Sequence, residues 1–326
     1  MRKKLLAVLL AVVLSVAVVA FAACSSDDGD GRIDLIPNLT LLYETDADMI
    51  NTYSLIAVNP AAPFTGGVTP NINTAGADAF IIWLTSEEGL NAVKDYGKEQ
   101  YDEALFYIET DFVATTAAVP HATDATKNIN LSTTTSVNDS GLLEGYLKPL
   151  FEDKYGYNLK IASNGTGAAI KAATDGNADL LLVHSKSQEE TFISGGYARK
   201  VEGFAAERVH FMYNYFVLIG PKDDPAGVKD AAKVKDAFAK IAAGRNSESP
   251  YQFISRGDNS GTHTAELKLW AADLGITDTP DAAATGNWYI SAGTGMGNCL
   301  IMANEKKAYV LSDKATYLTY KNFIEA

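Results

Sequence analysis

Along most of the chain, apolar runs of strand length alternate with segments whose apolar residues recur at helical spacing. Tyr53–Val58 is such a run, followed by the helical pattern Ala75–Leu84, and Leu180–His184 is another, followed by Gln188–Ser194. This alternation predicts α/β architecture with largely parallel sheets. Between Asp111 and Asn128 the pattern breaks into Ala, Thr, Pro and Asp without a period, which reads as a linker. No internal repeat interrupts it. The buried-strand passage Phe216–Ile219 runs into the turn Gly220–Pro225, and Ala308–Asp313 forms a second passage. Two passages around one intervening block predict a lobe inserted between two halves of another, with the ligand between the lobes.

The amino terminus has a different pattern. A basic start (Arg2, Lys3, Lys4), an apolar run from Leu5 to Phe21 and small residues before Cys24 describe a secretory signal more closely than a membrane span. Phe21-Ala22-Ala23-Cys24-Ser25-Ser26 resembles a bacterial lipobox, which implies cleavage before Cys24 and lipidation of its thiol. Ser25–Gly31 then reads as a short flexible tether.

Charge and cysteine count narrow the class. The net charge of −13 becomes −16 once Arg2, Lys3 and Lys4 leave with the signal, so a basic nucleic-acid footprint is absent. An acidic protein that binds an anion must use a local, preorganised site rather than its overall field. Cys299 is the other cysteine; with Cys24 committed to lipid there is no disulfide, and stability must come from the core. Roughly 300 residues beyond the signal are enough for two lobes.

Such a site is visible in two places. Thr133-Thr134-Thr135-Ser136 puts four hydroxyls at the end of the strand-like run Ile129–Leu131, just before the amphipathic segment Ser140–Phe151. That arrangement aims O–H groups and unpaired helix-start N–H groups at one point. The second is Ser255-Arg256-Gly257-Asp258-Asn259-Ser260-Gly261-Thr262-His263, which brings a guanidinium and two hydroxyls into the helical pattern Ala265–Leu274. Together they read as two jaws of an oxyanion site. The competing reading of Thr133–Ser136 is a strand end chosen for β propensity, and that of Arg256 is a surface or ion-paired arginine.

Several segments, in order, resemble a known family: Thr133–Ser136 with Ser140–Leu143, Asn164-Gly165-Thr166-Gly167, Gly176 with Ala178–His184, Gly220–Gly227, Ser255–Asp258, Ser260–His263 and Gly295-Met296-Gly297. They are similar to the tungstate-binding proteins of ABC transporters, over about Asn130 to Ala326. The resemblance implies a two-lobed type II periplasmic-binding-protein fold with the ligand cleft between the lobes. One departure is large. Segments resembling the family's carboxy-terminal part (Leu41–Asp46, Asn51–Pro60, Phe80–Gly89 and Leu105–Tyr107) come first here, which is the order of a circular permutant. The expected division is a signal at 1–23, a tether at 24–32, part of the first lobe at 33–110, a linker at 111–128, the rest of that lobe at 129–217, the second lobe at 218–307 and a return to the first at 308–326.

The implied function is an extracytoplasmic, membrane-anchored lipoprotein that captures tungstate or molybdate for an ABC permease, as a monomer and without catalysis. The expected oxyanion ligands are Thr134, Thr135, Ser136, Ser163, Thr166, Arg256, Ser260, Gly261 and Thr262. An unprotonated tetrahedral dianion needs donors and no acceptors; each hydrogen bond to it contributes roughly 1.5–3 kcal/mol. Phosphate mostly carries a proton and gains from a carboxylate acceptor, a role open to Asp258, although an Asp there more often caps a helix or orients the arginine. A phosphate or sulfate receptor is therefore the runner-up, and a secreted hydrolase using Ser260 or Ser136 with His263 is the rival from another class. No cofactor or metal is called for: His184 and His263 stand outside any ligand cluster, and Gly293–Gly297 lacks the spacing of a dinucleotide loop.

Overall fold

The computed structural model describes residues 32–247, 250–278 and 286–324, so the expected signal, Cys24 and most of the tether lie outside the described residues. In chain order the strands are β1 (Arg32–Ile33), β2 (Leu39–Tyr43), β3 (Ile50–Val58), β4 (Tyr107–Ile108), β5 (Asn128–Thr134), β6 (Asn158–Asn164), β7 (Leu180–Val183), β8 (Ala198–Arg199), β9 (Val209–Pro221), β10 (Phe253–Ser255), β11 (Tyr289–Ser291), β12 (Tyr309–Asp313) and β13 (Phe323–Ile324). The α-helices are α1 (Thr74–Thr85), α2 (Glu87–Asp95), α3 (Lys98–Tyr101), α4 (Thr135–Asp139), α5 (Lys148–Tyr155), α6 (Thr166–Thr174), α7 (Lys186–Ser194), α8 (Val234–Ala243), α9 (Gly261–Leu267), α10 (Met296–Lys306) and α11 (Lys314–Lys321).

Strand pairing builds two half-sheets that share β9. The first runs β9-β3-β7-β5-β6, and the second runs β11-β10-β12-β9 with β2 also on β9. Apolar clusters cover each on both faces, because strands such as Leu180–Val183 have no polar side to give to solvent. The sheets are mixed rather than largely parallel. Pairs β5–β6, β5–β7, β10–β11 and β10–β12 are parallel, whereas β3 and β9 run antiparallel to their neighbours.

The pairing also moves two boundaries. Residues 308–326 were expected to return to the first lobe, but β12 pairs with β10 and with Phe216–Ile219 of β9, inside the second half-sheet. Leu39–Tyr43, expected in the first lobe, pairs with Leu218–Pro221 and belongs to the second half as well. The chain therefore crosses between halves at residues 44–49 and again inside β9, whose 13 residues are long enough to serve both sheets. β1 pairs antiparallel with β13, so Arg32 lies opposite Ile324 and Ile33 opposite Phe323.

Local signals explain the starts of several helices. Asn73 caps α1 by accepting from Gly76 N, Ser86 caps α2 by accepting from Gly89 N, and Asp313 caps α11 by accepting from Thr316 N. The expected helix over Ser140–Phe151 is instead a π turn, Leu142–Leu147, that leads into α5, and the pattern Ala265–Leu274 resolves into the end of α9 and a separate 3₁₀ turn, Ala272–Leu274.

Candidate functional site

The run of four hydroxyls straddles a strand end and a helix start: Thr133 and Thr134 close β5, and Thr135 and Ser136 open α4. Their partners divide them into two pairs. Thr133 Oγ1 donates to the carbonyl of Leu182 at 2.7 Å. Thr134 Oγ1 lies 3.0 Å from His184 Nε2, and His184 Nδ1 lies 2.6 Å from Asn51 Oδ1. An amide oxygen only accepts, so Nδ1 carries the imidazole proton and Nε2 must accept from Thr134. Burial, helped by the Arg256 charge and opposed by Asp258, pushes His184 down to about 3, so the ring is neutral. Thr134 was expected to bind the anion, but its proton is already committed to the ring.

Thr135 and Ser136 are arranged the other way round. Arg256 Nη1 donates to Thr135 Oγ1 at 2.9 Å, across the cleft between the halves. Ser136 Oγ lies 2.9 Å from the hydroxyl of Tyr53, which accepts from Asn51 Nδ2 at 2.9 Å. The phenolic proton has Ser136 Oγ as its acceptor, since leaving it unpaired in a fully buried setting is costly. Both Thr135 and Ser136 thus receive a hydrogen bond and keep their own protons free to donate.

The second jaw is organised around Arg256, which is 2% exposed. Asp258 Oδ2 accepts from Arg256 Nε at 3.1 Å and Nη2 at 2.5 Å, and Asp258 Oδ1 accepts from Ser260 N at 3.1 Å. Of the five guanidinium N–H groups, one on Nη1 and one on Nη2 have no partner among the described residues. Ser260 Oγ caps α9 by accepting from His263 N at 3.2 Å, which leaves its proton free. Beneath the arginine, the buried carboxylate of Glu266 accepts from Ser255 Oγ at 2.5 Å, Trp270 Nε1 at 2.7 Å and Tyr289 Oη at 2.8 Å. Burial pushes Glu266 up to about 7 against the pull of those three donors.

Three more expected ligands, Ser163, Thr166 and Thr262, have buried hydroxyls with no hydrogen-bond partner among the described residues. Ser163, the penultimate residue of β6, lies directly beside Thr133 of β5, and Thr166 opens α6, whose N-cap Gly165 supplies no side-chain cap. Gly165 brings that helix start to the other jaw: a Cβ there would lie 3.3 Å from Ser260 Cβ. Gly261 makes a closer approach. A Cβ on it would come within 2.4 Å of His184 Nε2, so only glycine lets α9 approach the first half here. Gln188 Nε2 adds contacts across the cleft, to Asn259 O at 3.3 Å and to Thr264 Oγ1 at 3.2 Å. A crevice of about 660 Å³ starts at this His184–Gly261 contact and is lined by Lys186, Arg208, Lys235 and Lys268.

Neither serine offered for hydrolysis meets a histidine ring as a nucleophile must. Ser260 Oγ contacts a backbone N–H, Ser136 contacts Tyr53, and His263 Nδ1 accepts from Asn259 N. Among the described residues no group of three or more His, Cys, Asp or Glu is placed to hold a metal ion, and no helix is long and apolar enough to cross a membrane. The sequence reading missed Asn51, Tyr53 and Asp139. Asn51 and Tyr53 stand two apart on one face of β3, a polar pair in a buried strand, and that spacing was the available signal. Asp139, one turn beyond Thr135, is exposed to solvent on one side and densely surrounded by protein on the other. Burial and then Asp313 push its carboxyl up to about 6, against the pull of Arg256.

A family model described as a PBP superfamily domain matches residues 118–326. The chain is 46% identical over 201 residues to the tungstate-binding protein TupA of Peptoclostridium acidaminophilum, covering 61% of this chain and 63% of that one. It is 37% identical over 186 residues to TupA of Campylobacter jejuni, covering 57% and 62%. The chain thus spans a little over three fifths of the length of these curated relatives. A crystal structure described as the tungstate ABC transporter from Geobacter sulfurreducens is 41% identical over 60% of this chain and 75% of that one, with a TM-score of 0.48.

Proposed function

The chain belongs to the PBP superfamily, and we propose that it is an extracytoplasmic solute-binding protein that captures tungstate, or molybdate, and delivers it to an ABC permease without catalysing a reaction. The observation that carries this reading is the bond from Arg256 to Thr135 across the cleft, because it joins the two donor sets. The free protons of Thr135, Ser136 and Ser260, the unpartnered hydroxyls of Ser163, Thr166 and Thr262, and two N–H groups of Arg256 would surround the ion with donors. Both oxygens of Asp258 already accept within its own jaw, three bonds in all, which leaves it little acceptor capacity for a ligand. Binding would favour the arrangement in which the halves touch, a hinge motion driven by the ion's better contacts in that state. Delivery would follow from a monomer anchored through lipidated Cys24, a reading that rests on the sequence around that residue.

Asp139 favours a second reading. A carboxyl raised to about 6 within electrostatic reach of Arg256 can accept a ligand proton, which suits phosphate. Calorimetric titration of the protein lacking residues 1–24 with tungstate, molybdate, sulfate and phosphate tests both readings. Tight stoichiometric tungstate binding supports the first, and a preference for phosphate defeats it.

We also propose that the chain order is a circular permutation. The pairing of β1 with β13, the place of β3 within the first half-sheet and the start of the family match at residue 118 all support it. A rearranged chain that runs from 129 to 324 and then from 33 to 110 should fold and bind tungstate. A rearranged chain that stays unfolded counts against the permutation and leaves the site untouched.

A further inference from the structure

The hydroxyl of Ser136 does not choose its own direction. It stands at the end of a buried chain: Asn214 Oδ1 accepts from Asn51 Nδ2 at 2.8 Å, the second proton of that amide goes to Tyr53 Oη, and the phenol proton goes to Ser136 Oγ. His184 Nδ1 occupies Asn51 Oδ1 and stacks on Tyr53, with ring centroids 5.1 Å apart and planes 12° apart, so neither the amide nor the phenol can turn. All five side chains are buried. Asn51 and Asn214 face each other across β3 and β9, and Asn51 and Tyr53 lie ahead of the residues that the family model matches.

We infer that Asn51 is a specificity-determining positioning residue: through Tyr53 it fixes Ser136 as a donor to the bound oxyanion, and so favours an ion that carries no proton. This rests on the oxyanion reading of the cleft. A hydroxyl free to rotate serves a bare oxygen as donor and a protonated one as acceptor equally well, and so discriminates little. A hydroxyl whose oxygen already receives the phenol proton has one lone pair fewer to offer a ligand P–OH group and is biased towards donating its own proton, so a protonated ligand is disfavoured.

The test compares tungstate with phosphate at mildly alkaline pH, where both carry two charges and only phosphate carries a proton. The ratio of their dissociation constants then cancels simple changes in site charge. In Asn51→Asp the carboxylate accepts from Tyr53, Ser136 turns to donate to the phenol, and the preference for tungstate should fall at least about tenfold. In Tyr53→Phe the hydroxyl is released rather than reversed, and the preference should fall about threefold to fivefold. Repeating both in a Ser136→Ala background should abolish either change, a result that a merely structural role for Asn51 would not give. If Asn51→Asp fails to fold, Tyr53→Phe carries the test alone. A ratio within twofold of wild type, or the same shift with Ser136→Ala, overturns the inference. Wild type that takes up no tungstate overturns the functional reading first, so the two failures are distinguishable.

Discussion

The two jaws of the cleft bring similar donor chemistry but are held by different means. The arginine jaw is supported from within its own stretch. Asp258 grips Arg256 from two residues away, Ser260 caps the helix that follows, and Glu266 ties Ser255 to Trp270 and Tyr289 below. The hydroxyl jaw is held from a distance, since Asn51 and Tyr53 stand some eighty residues before Ser136, and His184 about fifty after Thr134. One consequence is that Thr134 and Thr135, chemically identical neighbours, have opposite duties: one donates inward to His184, and the other accepts from Arg256 and can donate outward.

Breaking the arginine jaw should have the largest effect. Arg256→Lys replaces a fork that holds Asp258 and Thr135 together with a point charge, and should cost at least about 3 kcal/mol of tungstate binding, a loss of more than a hundredfold by calorimetry. An unchanged affinity would remove the arginine from the site.

Glu266 tests whether that jaw supports itself. Its folded-state pKa, about 7, lies above the ordinary 4.5, so its contribution to stability is full below about pH 4.5 and is lost as pH rises through 7. Glu266→Gln should remove up to about 3 kcal/mol of that slope, so the difference in melting temperature from wild type should change with pH across this window. A difference constant with pH would mean that the carboxyl does not titrate there.

The hydroxyl jaw can be probed residue by residue. Thr135→Val and Ser136→Ala should each cost about 1–3 kcal/mol of binding with little loss of fold stability, whereas Thr133→Val and Thr134→Val should lower the melting temperature and spare affinity. Equal effects on affinity from all four would erase the division between inward and outward hydroxyls. The smallest effect is expected at Asp139. Asp139→Asn should leave tungstate binding nearly unchanged and, should the carboxyl accept a ligand proton, weaken phosphate about tenfold; weaker tungstate binding alone would count against both uses of that carboxyl.

The same contrast explains how much of the molecule could be read from its sequence. The arginine jaw was legible because its parts are contiguous: an arginine, a turn and a serine at a helix start announce one another at fixed spacing. Alternating apolar runs placed β3, β7, α1 and α7 to within a few residues. Strand direction was not legible, since apolar runs such as Tyr53–Val58 and Leu180–Val183 look alike whether their neighbours run parallel or antiparallel. Nor was the division between halves, because nothing in Val209–Pro221 marks where one sheet hands over to the other. The committed proton of Thr134 depends on the orientation of an asparagine amide in a strand far away in sequence, which local pattern cannot express.

β9 has one mechanical consequence. One passage between the halves runs through a hydrogen-bonded strand, with β3 lying alongside it and Asn51 held to Asn214 where both leave the first half-sheet. A hinge motion of the halves would therefore have to flex this paired ladder rather than turn on a slack loop. Motion of the halves and aim of the Ser136 proton would then share one fastening, the Asn51–Asn214 pair.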